Sequence, residues 1–90
     1  RWAIAGALAD TPLHDEAWRT LANSVPRNMP FLNFWADYAN RFVDNLRRDA
    51  NIIRLLKERL NVAVDTYGSD TLRRLLTNCD RDRHDAIPGN

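Results

Sequence analysis

His14-Asp15-Glu16 and Asp82-Arg83-His84-Asp85 each set an imidazole beside carboxylates, the residue types that a metal site or a general acid-base pair requires. Neighbours in sequence point to different sides of a helix, however, and the chain has only these two histidines. The spacing therefore predicts neither a metal centre nor proton-transfer chemistry. Cys79 is the lone thiol. It continues a leucine stripe, which marks it as a small buried hydrophobe, and a nucleophile there would have only His84 to serve as its base. The three glycines never cluster, so no phosphate-cradling loop is expected. The aromatics Phe31, Phe34, Trp35, Tyr38 and Phe42 could stack on bases, but their helical spacing reads as core, with Phe34 alone off the stripe and exposed. The expectation is a protein that is not an enzyme, with no catalytic residue, cofactor or metal.

The elements that must position these residues are helices throughout, because apolar residues recur at helical spacing and strand-like alternation is nearly absent. Ile4 and Leu8, with Trp2 and Ala7 nearby, define the face of a short first helix weakened by Gly6. Thr11 and Pro12 read as the N-cap and first position of a second helix, with Trp18, Leu21, Ala22 and Val25 as its core stripe and Pro26 as its stop. Asn28-Met29-Pro30 reads as a third start. From Phe31 to Tyr67 there is neither Pro nor Gly. Phe31, Leu32, Trp35, Tyr38, Ala39, Phe42, Val43 and Leu46 hold one stripe, and Ile53, Leu56, Leu60, Val64 and Tyr67 hold another. One straight helix over that span would run about 55 Å at ~1.5 Å per residue, too long for a domain of this size, so a break is expected near Asp44 to Asn51. Tyr67-Gly68-Ser69-Asp70 combines a helix-ending glycine with a Ser/Asp N-cap. Leu72, Leu75, Leu76 and Cys79 form the final stripe, Asp80-Arg81-Asp82 is expected to turn the chain, Arg83 to Ile87 to add one further turn, and Pro88-Gly89 to end it.

The result is an all-α fold, a compact bundle of five or six antiparallel helices. Ninety residues make one domain near the lower limit for a self-sufficient core, and residues 1–90 read as a single helical interaction domain excised from a longer protein, since the chain starts without Met. One cysteine permits no internal disulfide, which points to a reducing compartment and a cytoplasmic location. No apolar run approaches the length of a membrane span, and Arg1 to Asp10 lacks the pattern of a secretory signal.

Charge is abundant and balanced: 13 Lys+Arg against 12 Asp+Glu leave a net +1, too little field to gather a polyanion. Nucleic acid is accordingly a disfavoured partner. The bases are Arg throughout apart from Lys57, and Arg is suited to bidentate pairing with carboxylates across a protein interface.

Two blocks then carry a family resemblance. Ile4-Ala5-Gly6-Ala7-Leu8 followed by Ala17-Trp18-Arg19-Thr20-Leu21-Ala22 resembles the start of a death domain, in which a short apolar helix precedes a Trp-x-x-Leu-Ala helix. Asn51-Ile52-Ile53-Arg54-Leu55-Leu56 is similar to that family's fourth helix. Thr71-Leu72-Arg73-Arg74-Leu75-Leu76 with Asp82 to Ile87 is similar to its fifth helix and the start of its sixth. The death domains of ankyrins, netrin receptors and NF-κB precursors are nearest in pattern. The chain departs from the family where Glu58-Arg59-Leu60 replaces the Trp that often ends the fourth helix. It also departs in a longer segment between the third and fourth helices, and in Pro88, which cuts the sixth short.

The resemblance implies a Greek-key death fold and a non-enzymatic adaptor role: homotypic assembly with another helical domain of the superfamily, a second copy included, in apoptotic or innate-immune signalling. Charges that fall off the apolar stripes, chosen without regard to the resemblance, are the ones left exposed for such docking. Arg47, Arg48, Arg54 and Lys57 surround the fourth helix, Arg73 and Arg74 lie on the fifth, and Asp15, Glu16, Asp37 and Asp44 supply acidic counterparts. The simpler account is a solvated face with pairs such as Arg54 and Glu58, worth a few tenths of a kcal/mol each. The alternative function is a small helical nucleic-acid-binding domain with Arg47, Arg48, Arg54 and Arg73 on phosphates.

Overall fold

Caps set the order of the elements. In the computed structural model, which describes residues 1–63 and 67–85, six α-helices follow one another: α1 (Trp2–Ala7), α2 (His14–Ala22), α3 (Met29–Ala39), α4 (Val43–Arg47), α5 (Ala50–Asn61) and α6 (Asp70–Asp85). Single 3-10 turns at Asn40–Phe42 and Tyr67–Ser69 lead into α4 and α6. Among the described residues there is no strand.

Asn28 opens α3 as its spacing predicts: its side-chain oxygen accepts the Phe31 amide at 3.2 Å, and Pro30 sits in the first turn, where a missing N–H costs no hydrogen bond. Asp49 does the same for α5, accepting the Ile52 amide at 3.1 Å. The break expected between Asp44 and Asn51 therefore falls at Arg48-Asp49. A second interruption, the 3-10 turn at Asn40–Phe42, precedes that window.

Thr11 is not an N-cap. Its hydroxyl donates to the Leu8 carbonyl at 2.7 Å and accepts the Leu13 amide at 3.1 Å, tying the α1–α2 turn together, and α2 starts only at His14. Likewise α2 ends at Ala22, ahead of Val25 and Pro26.

Helices α3 and α6 form the spine; α1 packs on α2 and α3, while α4 and α5 pack on each other and on α6. The molecule measures 39 × 36 × 20 Å, so its short dimension holds two helix diameters of about 10 Å each. Trp18, Leu21, Leu32, Trp35, Ala39, Phe42, Leu46, Leu56, Leu72, Leu75, Leu76 and Cys79 are buried between the layers, which places the α2, α3 and α6 stripes inside as predicted. Each large apolar side chain so removed from water contributes about 1.5–3 kcal/mol. The Trp18 ring lies 6.4 Å from Trp35 and 6.0 Å from Phe42, both tilted, and Trp35 Nε1 donates to the Leu21 carbonyl at 3.0 Å. Burying an indole is favourable only when its N–H finds such an acceptor.

Four sequence expectations are corrected. The inward face of α1 is Ala5 and Gly6, continued by Ala9, while Ile4 is 67% exposed and Ala7 is also outside. The reason is proximity to α3: a Cβ at Gly6 would lie 3.0 Å from Tyr38 Cδ1, so only small residues fit on that side. Phe31, in the first turn of α3, is exposed. Tyr67 is exposed too, because α5 stops at Asn61 and the stripe loses its phase. Finally, α6 runs unbroken through Asp80-Arg81-Asp82 to Asp85, so the stretch expected to begin a separate last helix belongs to the same one. Val64 and Ala86 to Asn90, with the expected Pro88-Gly89 stop, lie outside the described residues.

Candidate interaction surface

The side of α1 turned away from the core leaves apolar groups in solvent. Because Gly6 draws α1 close to α3, Trp2 is carried beside Phe34 with ring centroids 6.2 Å apart, and Phe34 in turn lies 5.5 Å from Tyr38. Trp2 Nε1 donates to Ser24 Oγ at 3.0 Å, and the Ser24 hydroxyl donates to the Thr20 carbonyl at 2.7 Å, tying the indole to the end of α2. These aromatics, with Arg1, Ala3 and Ser24, line an open hollow of about 490 Å³ between α1 and α3. On the opposite flank of α1 a second hollow, about 250 Å³, is lined by Ile4, Ala5, Leu8, Leu13 and Ala17, with Arg1, Glu16 and Thr20 at its margin. Ile4, Leu13, Phe31 and Phe34 are 67%, 46%, 59% and 57% exposed, more large apolar surface on neighbouring elements than a domain of this size needs to leave uncovered.

Most of the charges selected from the sequence are exposed, but many are engaged locally. Arg74 pairs with Asp70 at 2.7 Å one turn away, and Arg73 Nε donates to Ser69 Oγ at 3.3 Å. Arg54 turns to Asn51 Oδ1 at 2.8 Å and not to Glu58. Arg47 is half-buried, with 22% of its side chain exposed, and pairs with Asp44 at 3.3 Å; packing at the end of α4 holds its stem inside. Arg48 borders a polar recess with Trp18, Asn45, Asp49 and Asn51. Lys57, Glu16 and Asp37 are exposed, and Asp15 accepts from Asn45 Nδ2 at 3.2 Å. Arg54 and Lys57 on α5 and Arg73 and Arg74 on α6 thus share two packed helices, whereas Asp15 and Glu16 stand at the start of α2 and Asp37 on α3.

Among the described residues no three His, Cys, Asp or Glu side chains converge on a common point. Cys79 is 2% exposed in the core, and the side chains of Asp82, His84 and Asp85 lie outside the described part. His14 is turned to two hydrogen-bond acceptors, the Ala9 carbonyl and Asn45, and its ring lies 4.7 Å from Phe42. No helix among the described residues is long and apolar enough to cross a membrane.

The hollows beside α1 were not visible as a motif. Their one sequence signal is the trio Ala5, Gly6 and Ala9, small residues that bring two helices together and so push their larger neighbours outward. No known protein family, curated protein or solved structure matches the chain.

Proposed function

We propose that the chain is a non-enzymatic protein-interaction module that assembles with a domain of its own kind, a second copy included, as the death-domain resemblance implies, with its helices in the Greek-key order of that fold. The setting this implies is an adaptor in apoptotic or innate-immune signalling in the cytoplasm. The observation that carries the reading is the apolar surface on both flanks of α1, where Ile4 and Phe34, each more than half exposed, line two hollows, with Phe31 equally exposed in the first turn of α3. Exposed aromatics beside concave ground are what a partner helix can cover, and such anchors dominate interface energetics. The arginines of α5 and α6, with Glu16 and Asp37 as acidic counterparts, would set partner choice and register more than affinity. The exposed Arg74–Asp70 pair adds little to stability, so its charges are available to a partner at small cost.

Sedimentation velocity over a range of protein concentrations tests this. The unmodified chain is expected to sediment faster as concentration rises. Phe31→Ser with Phe34→Ser, and separately Arg73→Glu with Arg74→Glu, should stay folded and monomeric, the first at a cost of about 1–2 kcal/mol for the Trp2 and Tyr38 ring contacts that Phe34 gives up. A chain that is monomeric at millimolar concentration, or variants that associate equally well, would count against the proposal. Tight, steeply salt-dependent binding of duplex DNA would replace it with the phosphate-binding reading.

A further inference from the structure

We propose that His14 is a pH-sensitive latch, closed while its imidazole carries both ring protons and opened when one leaves to solvent, which sets how firmly the α1–α2 corner is held against α4. The geometry is specific. Nδ1 lies 2.5 Å from the Ala9 carbonyl oxygen and Nε2 lies 2.6 Å from Asn45 Oδ1. A carbonyl oxygen only accepts. The Asn45 amide could turn its NH2 toward the ring, but its Nδ2 already donates to Asp15 Oδ1 at 3.2 Å, and a carboxylate also only accepts. The chain of groups from Ala9 through His14 and Asn45 to Asp15 therefore needs two N–H donors from one ring. The imidazolium has two; the neutral ring has one and must set a lone pair against an oxygen on its other side.

The surroundings act in the same sense. Asp15 adjoins His14 on α2, and Asp10 lies in the α1–α2 turn. From the other side, His14 shares a polar recess of about 310 Å³ with Arg41, Phe42 and Asp44. Arg41, whose Nη1 donates to the Gly6 carbonyl at 3.1 Å, is the cation there and is the exception, since it opposes the charge; Asp44 is paired with Arg47. The Phe42 ring, 4.7 Å from the imidazole, favours a cation on its face. The hydrogen bond to Ala9 raises the His14 pKa above its ordinary 6.5 and the Asn45 bond adds to it; burial opposes them, and Asp15 and then Asp10 make smaller contributions in the raising direction. His14 is half-buried and faces the recess, so its proton exchanges with water without unfolding.

The sign follows from linkage. A folded-state pKa above the unfolded value gives stability that is complete below pH 6.5 and is lost as pH climbs through the folded value. The corner from Ala9 to His14 is thus held below pH 6.5 and loosened once the pH has passed the raised His14 transition. The latch does not depend on what occupies the hollows beside α1.

The test follows the His14 ring protons by NMR from pH 5 to 9 in the full chain carrying His84→Gln, with the thermal midpoint measured at each pH. The ring is expected to titrate above 6.5, the thermal midpoint to fall across that transition, and the amides from Ala9 to His14 to exchange faster once it is passed. Asp15→Asn, which removes the charge beside the ring and the acceptor that fixes the Asn45 amide, should move the ring titration and the stability transition downward together. His14→Gln should flatten the stability profile; if it does not fold, the Asp15→Asn displacement decides. A ring titrating at or below 6.5, or an Asp15→Asn transition in the parent's place, would overturn the proposal.

Discussion

The side-chain oxygen of Asn33, in the middle of α3, accepts the backbone N–H of Leu72 at 2.8 Å, so the first turn of α6 is capped by another helix. A second tie, Asn78 Nδ2 to Asn40 Oδ1 at 2.8 Å, joins α6 to the 3-10 turn that follows α3. The spine of the fold is thus joined by apolar packing and by asparagine amides that hold its register.

Asn33→Ala removes one acceptor from an otherwise orphaned helix amide. It should lower unfolding free energy by about 1 kcal/mol in urea, the usual cost of a lost N-cap. Asn33→Asp keeps an acceptor and adds a favourable charge at the positive end of α6, so it should recover most of that loss.

Trp35 is fully buried and donates to the Leu21 carbonyl. That carbonyl also accepts the Ser24 amide at 3.1 Å, so Trp35→Phe does not leave it without a partner. The loss should come from the smaller ring and one hydrogen bond, about 2–3 kcal/mol, against about 3–5 kcal/mol for Trp35→Ala. Denaturant titrations of the two variants read the difference directly.

Gly6 sets helix propensity against contact. An Ala there gains about 1 kcal/mol of helix preference but brings its methyl to 3.0 Å from a Tyr38 ring that is already packed on Phe34. Tyr38 is partly exposed and can yield by a few tenths of an ångström, so the two effects should nearly cancel in Gly6→Ala. Gly6→Leu cannot be absorbed in that way. It should cost about 1–3 kcal/mol, and the change in thermal midpoint between the two variants checks the argument.

Local pattern revealed the stripes because each buried face repeats within its own helix: Leu72, Leu75, Leu76 and Cys79 are buried, and Asn28 caps α3. It misjudged α1, since hydrophobicity favoured Ile4 where the buried residues are Ala5 and Gly6, the latter pressed against Tyr38. It placed a turn at Asp80-Arg81-Asp82 on polarity alone, although no Gly or Pro interrupts the helix there and Arg is a good helix former. It missed the asparagine ties altogether. Asn33 to Leu72, Asn40 to Asn78 and His14 to Asn45 span 39, 38 and 31 residues, separations at which no periodicity speaks. The same blindness hid the hollows beside α1, which arise from how two helices approach and not from either helix alone.

The 20 Å thickness of the molecule has a thermal consequence. With every helix wet along one side, unfolding uncovers little additional nonpolar area per residue, and the heat capacity of unfolding scales with that area. The curve of stability against temperature is expected to be correspondingly shallow. A layer stacked on either wide face would convert wet helix sides into interior, steepening it.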